Sequence, residues 1–148
     1  MLAVPFIAMW FSLAGVSAPP VPACSLLTQA QVDAALGVSA KPGQGSAKIC
    51  NWAEATAAAG RKKSVALSLQ DAKAFDFAKA ASSSANVVKT TVSGIGDDAV
   101  YVTVTGVTTT LTVKKGDVYF EIHVYGFADA QTRTLEKTLA LDVIAKLQ

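Results

Sequence analysis

The chain is poor in the residues that most protein chemistry relies on. It has one histidine and two cysteines in 148 residues. A structural zinc site takes four ligands of these kinds. His123, Cys24 and Cys50 are too few and too far apart to supply them, so neither metal nor cofactor is expected. Charged residues are 16% of the chain, against about 25% in an average globular domain. The net charge is +2, and the densest basic run is Arg61-Lys62-Lys63 beside Gly60. Nucleic-acid binding calls for a basic stripe, and this run reads as a solvated turn, so no nucleic-acid partner is expected. Gly94 and Gly96 lack the third glycine and following helix of a dinucleotide site. Asp97-Asp98 lacks the alternating spacing of a calcium loop. The longest apolar run falls short of the roughly 20 residues that span a bilayer.

That run stands at the N-terminus. Residues 1–18 are apolar and uncharged and end in the small residues Val16-Ser17-Ala18. They have the form of a secretory signal peptide. No Lys or Arg precedes the run, which departs from the basic start of most signals. Residues 19–23 follow as a Pro-rich tether, and 24–148 are expected to form a single domain. The protein is thus expected to be secreted or periplasmic. Ala23-Cys24 also resembles the end of a lipobox, although Pro22 fits it poorly. An envelope lipoprotein anchored through Cys24 is the lesser expectation, and a membrane partner is expected only in that case.

With two cysteines in an oxidising compartment, one intramolecular disulfide is available. A lipidated Cys24 with a free Cys50, or two reduced thiols, would fit the same sequence.

The rest alternates between helical and extended patterns. Thr28-Gln29-Ala30-Gln31 has the form of a capping box, and Gly37 a helix stop, so a helix is expected over 29–36. Short strands are expected around Trp52 and over 65–69. Asp71 should cap a second helix over 72–81, with Phe75 and Ala78 inward. In 99–104 the alternation is read with Val100, Val102 and Val104 toward the core and Tyr101 and Thr103 away from it. Gly116-Asp117 is a two-residue hairpin turn. It pairs Lys115 with Val118, Val113 with Phe120, Leu111 with Ile122 and Thr112 with Glu121. One face is then wholly apolar, so a slip of one residue would mix the faces. Asp129 should cap a last helix whose stripe is Leu135, Leu139, Val143 and Leu147. The expected class is α+β: an antiparallel sheet with a C-terminal three-stranded meander, covered on one face by helices.

Candidate site residues follow from that arrangement. The face turned from the helices would gather Tyr101, Thr110, Glu121, His123 and Tyr125. Tyrosines among hydroxyls suit a sugar, a peptide or a partner protein. Asp97 and Asp98, in the Gly-Ile-Gly-Asp-Asp turn, are a second contact point. His123 with Glu121 would also suit a small hydrolase. But residues two apart on a strand stand about 7 Å apart, and no Ser or Cys nucleophile is evidently placed, so catalytic residues are not assigned.

Cys24-Ser25-Leu26-Leu27-Thr28, Cys50-Asn51-Trp52 and Gly94-Ile95-Gly96-Asp97-Asp98-Ala99 together carry a resemblance. The chain resembles small exported or lipoprotein-like bacterial domains of unknown function. The resemblance implies an α+β fold with a Cys24–Cys50 disulfide and implies no activity. The functional expectation is an exported, non-catalytic binding or interaction domain. It would be a monomer, its partner an envelope or extracellular protein or a small ligand. A structural envelope component is the alternative.

Overall fold

The computed structural model describes residues 21–56, 60–80 and 84–147. The expected signal peptide and the first two residues of the tether lie outside them. In chain order the elements are a 3-10 turn (Ala23–Ser25), helix α1 (Gln29–Leu36), strands β1 (Gln44–Gly45), β2 (Ile49–Ala53) and β3 (Ser64–Asp71), helix α2 (Lys73–Ala80), strands β4 (Val87–Val92), β5 (Asp98–Val104), β6 (Thr108–Lys115) and β7 (Val118–Tyr125), and helix α3 (Asp129–Lys146).

Local sequence explains most of these boundaries. The Thr28 side chain accepts the Gln31 N–H while the Gln31 side chain accepts the Thr28 N–H, closing the capping box. Gly37 ends α1 at φ 65°, where a side chain would be strained. Asp71 accepts the Lys73 N–H at 2.8 Å and so starts α2. At α3 the cap differs from expectation. Asp129 is the first helical residue, and Ala128 precedes it as N-cap without a side-chain hydrogen bond. The Asp129 charge still favours the helix start, by charge against the peptide dipoles.

The seven strands form one antiparallel sheet in the order β1-β2-β3-β7-β6-β5-β4. It is two consecutive meanders, β1–β3 and β4–β7, joined where β3 pairs with β7. The fold is α+β, and β5-β6-β7 is the C-terminal three-stranded meander. The β6–β7 register has Lys115 opposite Val118, Val113 opposite Phe120, Leu111 opposite Ile122 and Thr112 opposite Glu121, as the hairpin turn dictates.

One face of the sheet buries Val65, Leu67, Leu111, Val113, Phe120 and Ile122 beneath α1 and α3, which contributes Leu139, Ala140 and Val143. The helices do not all lie there. Tyr119 neighbours Phe120 on β7 and so points the opposite way. Its ring meets the fully buried Phe75 of α2 edge-on, 6.1 Å between centroids. The chain therefore runs over the far face as it passes from central β3 to edge strand β4.

This two-sided cover corrects the reading of β5. Tyr101 pairs with Leu111 and lies on the α3 face. Its hydroxyl donates to the Arg133 carbonyl at 2.7 Å, and the Arg133 guanidinium stands 5.1 Å from its ring centroid. Thr103 goes with it, accepting from Arg133 at 3.0 Å. Val100 and Val102 turn to the α2 face. Alternation separates the two faces of a strand but does not say which is which when both are covered. Counting across the turn would have said so, because Val104 pairs with Thr108.

Cys24 and Cys50 form a disulfide, Cα–Cα 5.0 Å, which ties the 3-10 turn to β2. It occupies the thiol that lipidation of Cys24 would need. Gly43 passes over this bond so closely that a Cβ there would stand 2.7 Å from Cys50 Sγ and 2.5 Å from Trp52 Nε1. Among the described residues no helix is long and apolar enough to cross a membrane.

A candidate binding groove on the sheet

The face under α2 is only partly covered. Beyond Phe75 the helix ends at Ala80, and a groove of about 360 Å³ opens between it and strands β4–β7. One side is apolar, lined by Val87, Val100 and Val102. The other is polar, lined by Thr110, Thr112, Glu121 and His123. Their placement follows from the strand period: Thr110 and Thr112 on β6 and Glu121 and His123 on β7 point the same way. Lys89 walls the helix end, its Nζ donating to the Ala78 carbonyl at 2.8 Å and the Lys79 carbonyl at 3.1 Å. The volume falls at the small end of ligand pockets, about 300–1,000 Å³.

His123 is held from two sides. Thr110 Oγ1 lies 3.0 Å from Nδ1 and 3.2 Å from Nε2. An oxygen nearly equidistant from both nitrogens cannot lie along the lone pair of either, so this contact steadies the ring without aligning it for proton transfer. On the other side Tyr125 stacks on the imidazole, centroids 5.7 Å apart and planes 11° apart, with its hydroxyl 3.2 Å from Nδ1. Burial pushes the His123 pKa below its ordinary value, while the Glu121 charge pulls it back up. The ring is therefore neutral at pH 7. Glu121 takes a long, weak hydrogen bond from the Tyr119 hydroxyl, 3.5 Å. Burial first, and then Glu121, raise the Tyr119 pKa. No Glu121–His123 hydrogen bond occurs among the described residues. The group offers hydroxyls, a neutral imidazole and a carboxylate for recognition, beside an apolar strip on the same sheet face.

The other expected contacts lie elsewhere. Asp97 Oδ2 accepts the Gly116 N–H at 2.7 Å, and Oδ1 stands 3.4 Å from Lys115 Nζ. The Gly116 hydrogen bond is the main cause that lowers its pKa. Asp97 thus braces the β6–β7 turn. Asp98 pairs with Lys79 and holds the end of α2 near the groove. Tyr101 is on the opposite face. Among the described residues no three His, Cys, Asp or Glu side chains gather as metal ligands.

Two features escaped the sequence reading. Of the groove's valines, Val100 and Val102 read as core from alternation alone, which does not show that α2 lies on their face. The second is Glu136, fully buried under the sheet on α3. Its Oε1 accepts the Val124 N–H at 3.2 Å, and its Oε2 has no partner among the described residues. Burial lifts its pKa to about 8 against the opposing pull of the Val124 hydrogen bond and Arg133. The signal was there: position 136 lies four before Ala140 and seven before Val143, on the buried stripe.

No protein-family model, curated protein or solved structure matches the chain.

Proposed function

We propose that the protein is an exported, non-catalytic binding domain whose groove beneath α2 takes a small ligand, part apolar and part hydroxylated. The carrying observation is the divided floor, an apolar strip of Val87, Val100 and Val102 beside the polar Thr110, Glu121 and His123, under a groove of about 360 Å³. An apolar face of the ligand would rest on the valines. Its hydroxyls would meet the carboxylate and the neutral imidazole, which can donate and accept at once. Two observations support export. The Cys24–Cys50 bond is typical of oxidising compartments. Residues 1–18 have signal-peptide character.

Saturation-transfer NMR with short alkyl glucosides and free glucose as probes tests the groove. Wild type should bind the alkyl glucosides more tightly than glucose. Ala78→Trp, which fills the groove from its rim, should abolish that binding with the fold intact. Undiminished binding by the variant, or no saturable binding by wild type, would remove the reading.

A further inference from the structure

A second opening lies where β6 and β7 part. Their register runs from Lys115 opposite Val118 to Leu111 opposite Ile122. Beyond it β7 stays paired with β3 as far as Tyr125, and the Val124 N–H turns to Glu136 instead of β6. The separation opens a cavity of about 450 Å³ bounded by the β5–β6 turn, the end of β7 and the start of α3.

Four observations at this cavity agree on one kind of ligand. First, α3 is 18 residues long and begins here, with no side chain capping its first N–H groups. Free amides and the peptide dipoles at such an end attract negative charge. Second, Thr132 lines the cavity, is 5% exposed, and makes no side-chain hydrogen bond among the described residues. Its neighbours behave otherwise: Thr134 and Thr138 donate to the carbonyls four residues back, at 3.1 and 3.0 Å. Third, Arg61 and Lys62 stand at the rim with no ion pair or hydrogen bond among the described residues, whereas Lys63 is committed to the Leu36 carbonyl. Fourth, Tyr125, Phe127 and Val107 give the walls apolar surface.

We propose that this cavity binds a small organic anion, its carboxylate or phosphate group at the start of α3 and its apolar body against Tyr125 and Phe127. Arg61 and Lys62 supply the opposite charge, and the Thr132 hydroxyl donates to the anionic group. Asp129, also in the lining, opposes the anion and limits affinity. Glu136, one turn further along α3, adds little opposition at neutral pH because burial keeps it protonated. The cavity is separate from the groove beneath α2, touching it only through Tyr125, which stacks on His123.

The test is titration of ¹⁵N-labelled protein with benzoate, phenyl phosphate and inorganic phosphate at fixed ionic strength. Saturating amide shifts should appear at residues 129–132, with the phenyl-bearing probes ahead of inorganic phosphate. Whichever of benzoate and phenyl phosphate binds more tightly identifies the anionic group. Exchanging both Arg61 and Lys62 for Ala should weaken binding about five- to tenfold. Thr132→Val should also weaken it, Asp129→Asn should strengthen it, and Ala78→Trp should leave it unchanged. No saturation by any probe up to about 10 mM, or shifts unaltered by the double Arg61 and Lys62 substitution, would overturn the proposal.

Discussion

Glu136 is the residue whose environment differs most from its nature. With its pKa at about 8, the folded protein keeps a proton that the unfolded chain releases near pH 4.5. Between those values the folded state binds more protons, so stability falls as pH rises. The slope is about 1.4 kcal/mol per pH unit, of the order of 5 kcal/mol across the window. Urea unfolding at pH 5, 6.5 and 8 should show this decline. Glu136→Gln keeps an acceptor for the Val124 N–H but cannot ionise, so its curve should be much flatter and the variant should be the more stable at pH 8. His123 acts with the opposite sign. Its pKa is lowered, so its contribution is lost as pH falls below about 6.5, and His123→Gln should lose less stability than wild type on that acid side. Residue identity could be read from the sequence here, but environment could not. A lone Glu within an apolar stripe looks like a surface residue until the helix is placed.

At the level of elements, legibility depended on whether a local chemical device fixed the answer. The box at Thr28 and Gln31, the stop at Gly37 and the turn at Gly116 each determine their own geometry, and each was read correctly. Strand β5 has alternation but no such device of its own, so its faces were exchanged, and with them the place of Tyr101. The same contrast governs which changes should be costly. Gly96 has φ 60°, and a Cβ there would stand 2.5 Å from the Lys114 carbonyl oxygen. Gly96→Ala combines a left-handed backbone with a backbone clash and should cost about 2–3 kcal/mol in denaturant unfolding. Helix α2 buries only one large side chain, Phe75. Phe75→Ala should cost about 3–4 kcal/mol. If α2 rests mainly on that ring, hydrogen exchange in 73–80 should accelerate well before that in β6 and β7. Uniform acceleration across the sheet would instead make α2 part of the cooperative core.

The molecule as a whole is closed by one covalent bond near its start. Cys24 and Cys50 are 26 residues apart, and cross-linking a loop of that length stabilises by about 3 kcal/mol in the chain-entropy estimate. Reduction should lower the melting temperature by about 10 °C, and intact mass should rise by about two hydrogens on reduction. An unchanged mass and melting point would mean that the bond is not formed in the isolated protein. Both cysteines lie in the first half of the chain, Cys24 in the 3-10 turn and Cys50 in β2, so the bond does not cross to the second meander. The halves join in the sheet along β3 and β7, paired from Ser64 opposite Tyr125 to Asp71 opposite Val118, share the core between α1 and α3, and are linked by one peptide path through α2. Each half keeps its own helix, α1 or α3, and its own hairpins. Topologically the protein is a heterodimer written as a single polypeptide. Separately made pieces ending and beginning in the connector between β3 and β4 should find one another in solution and reconstitute the sheet.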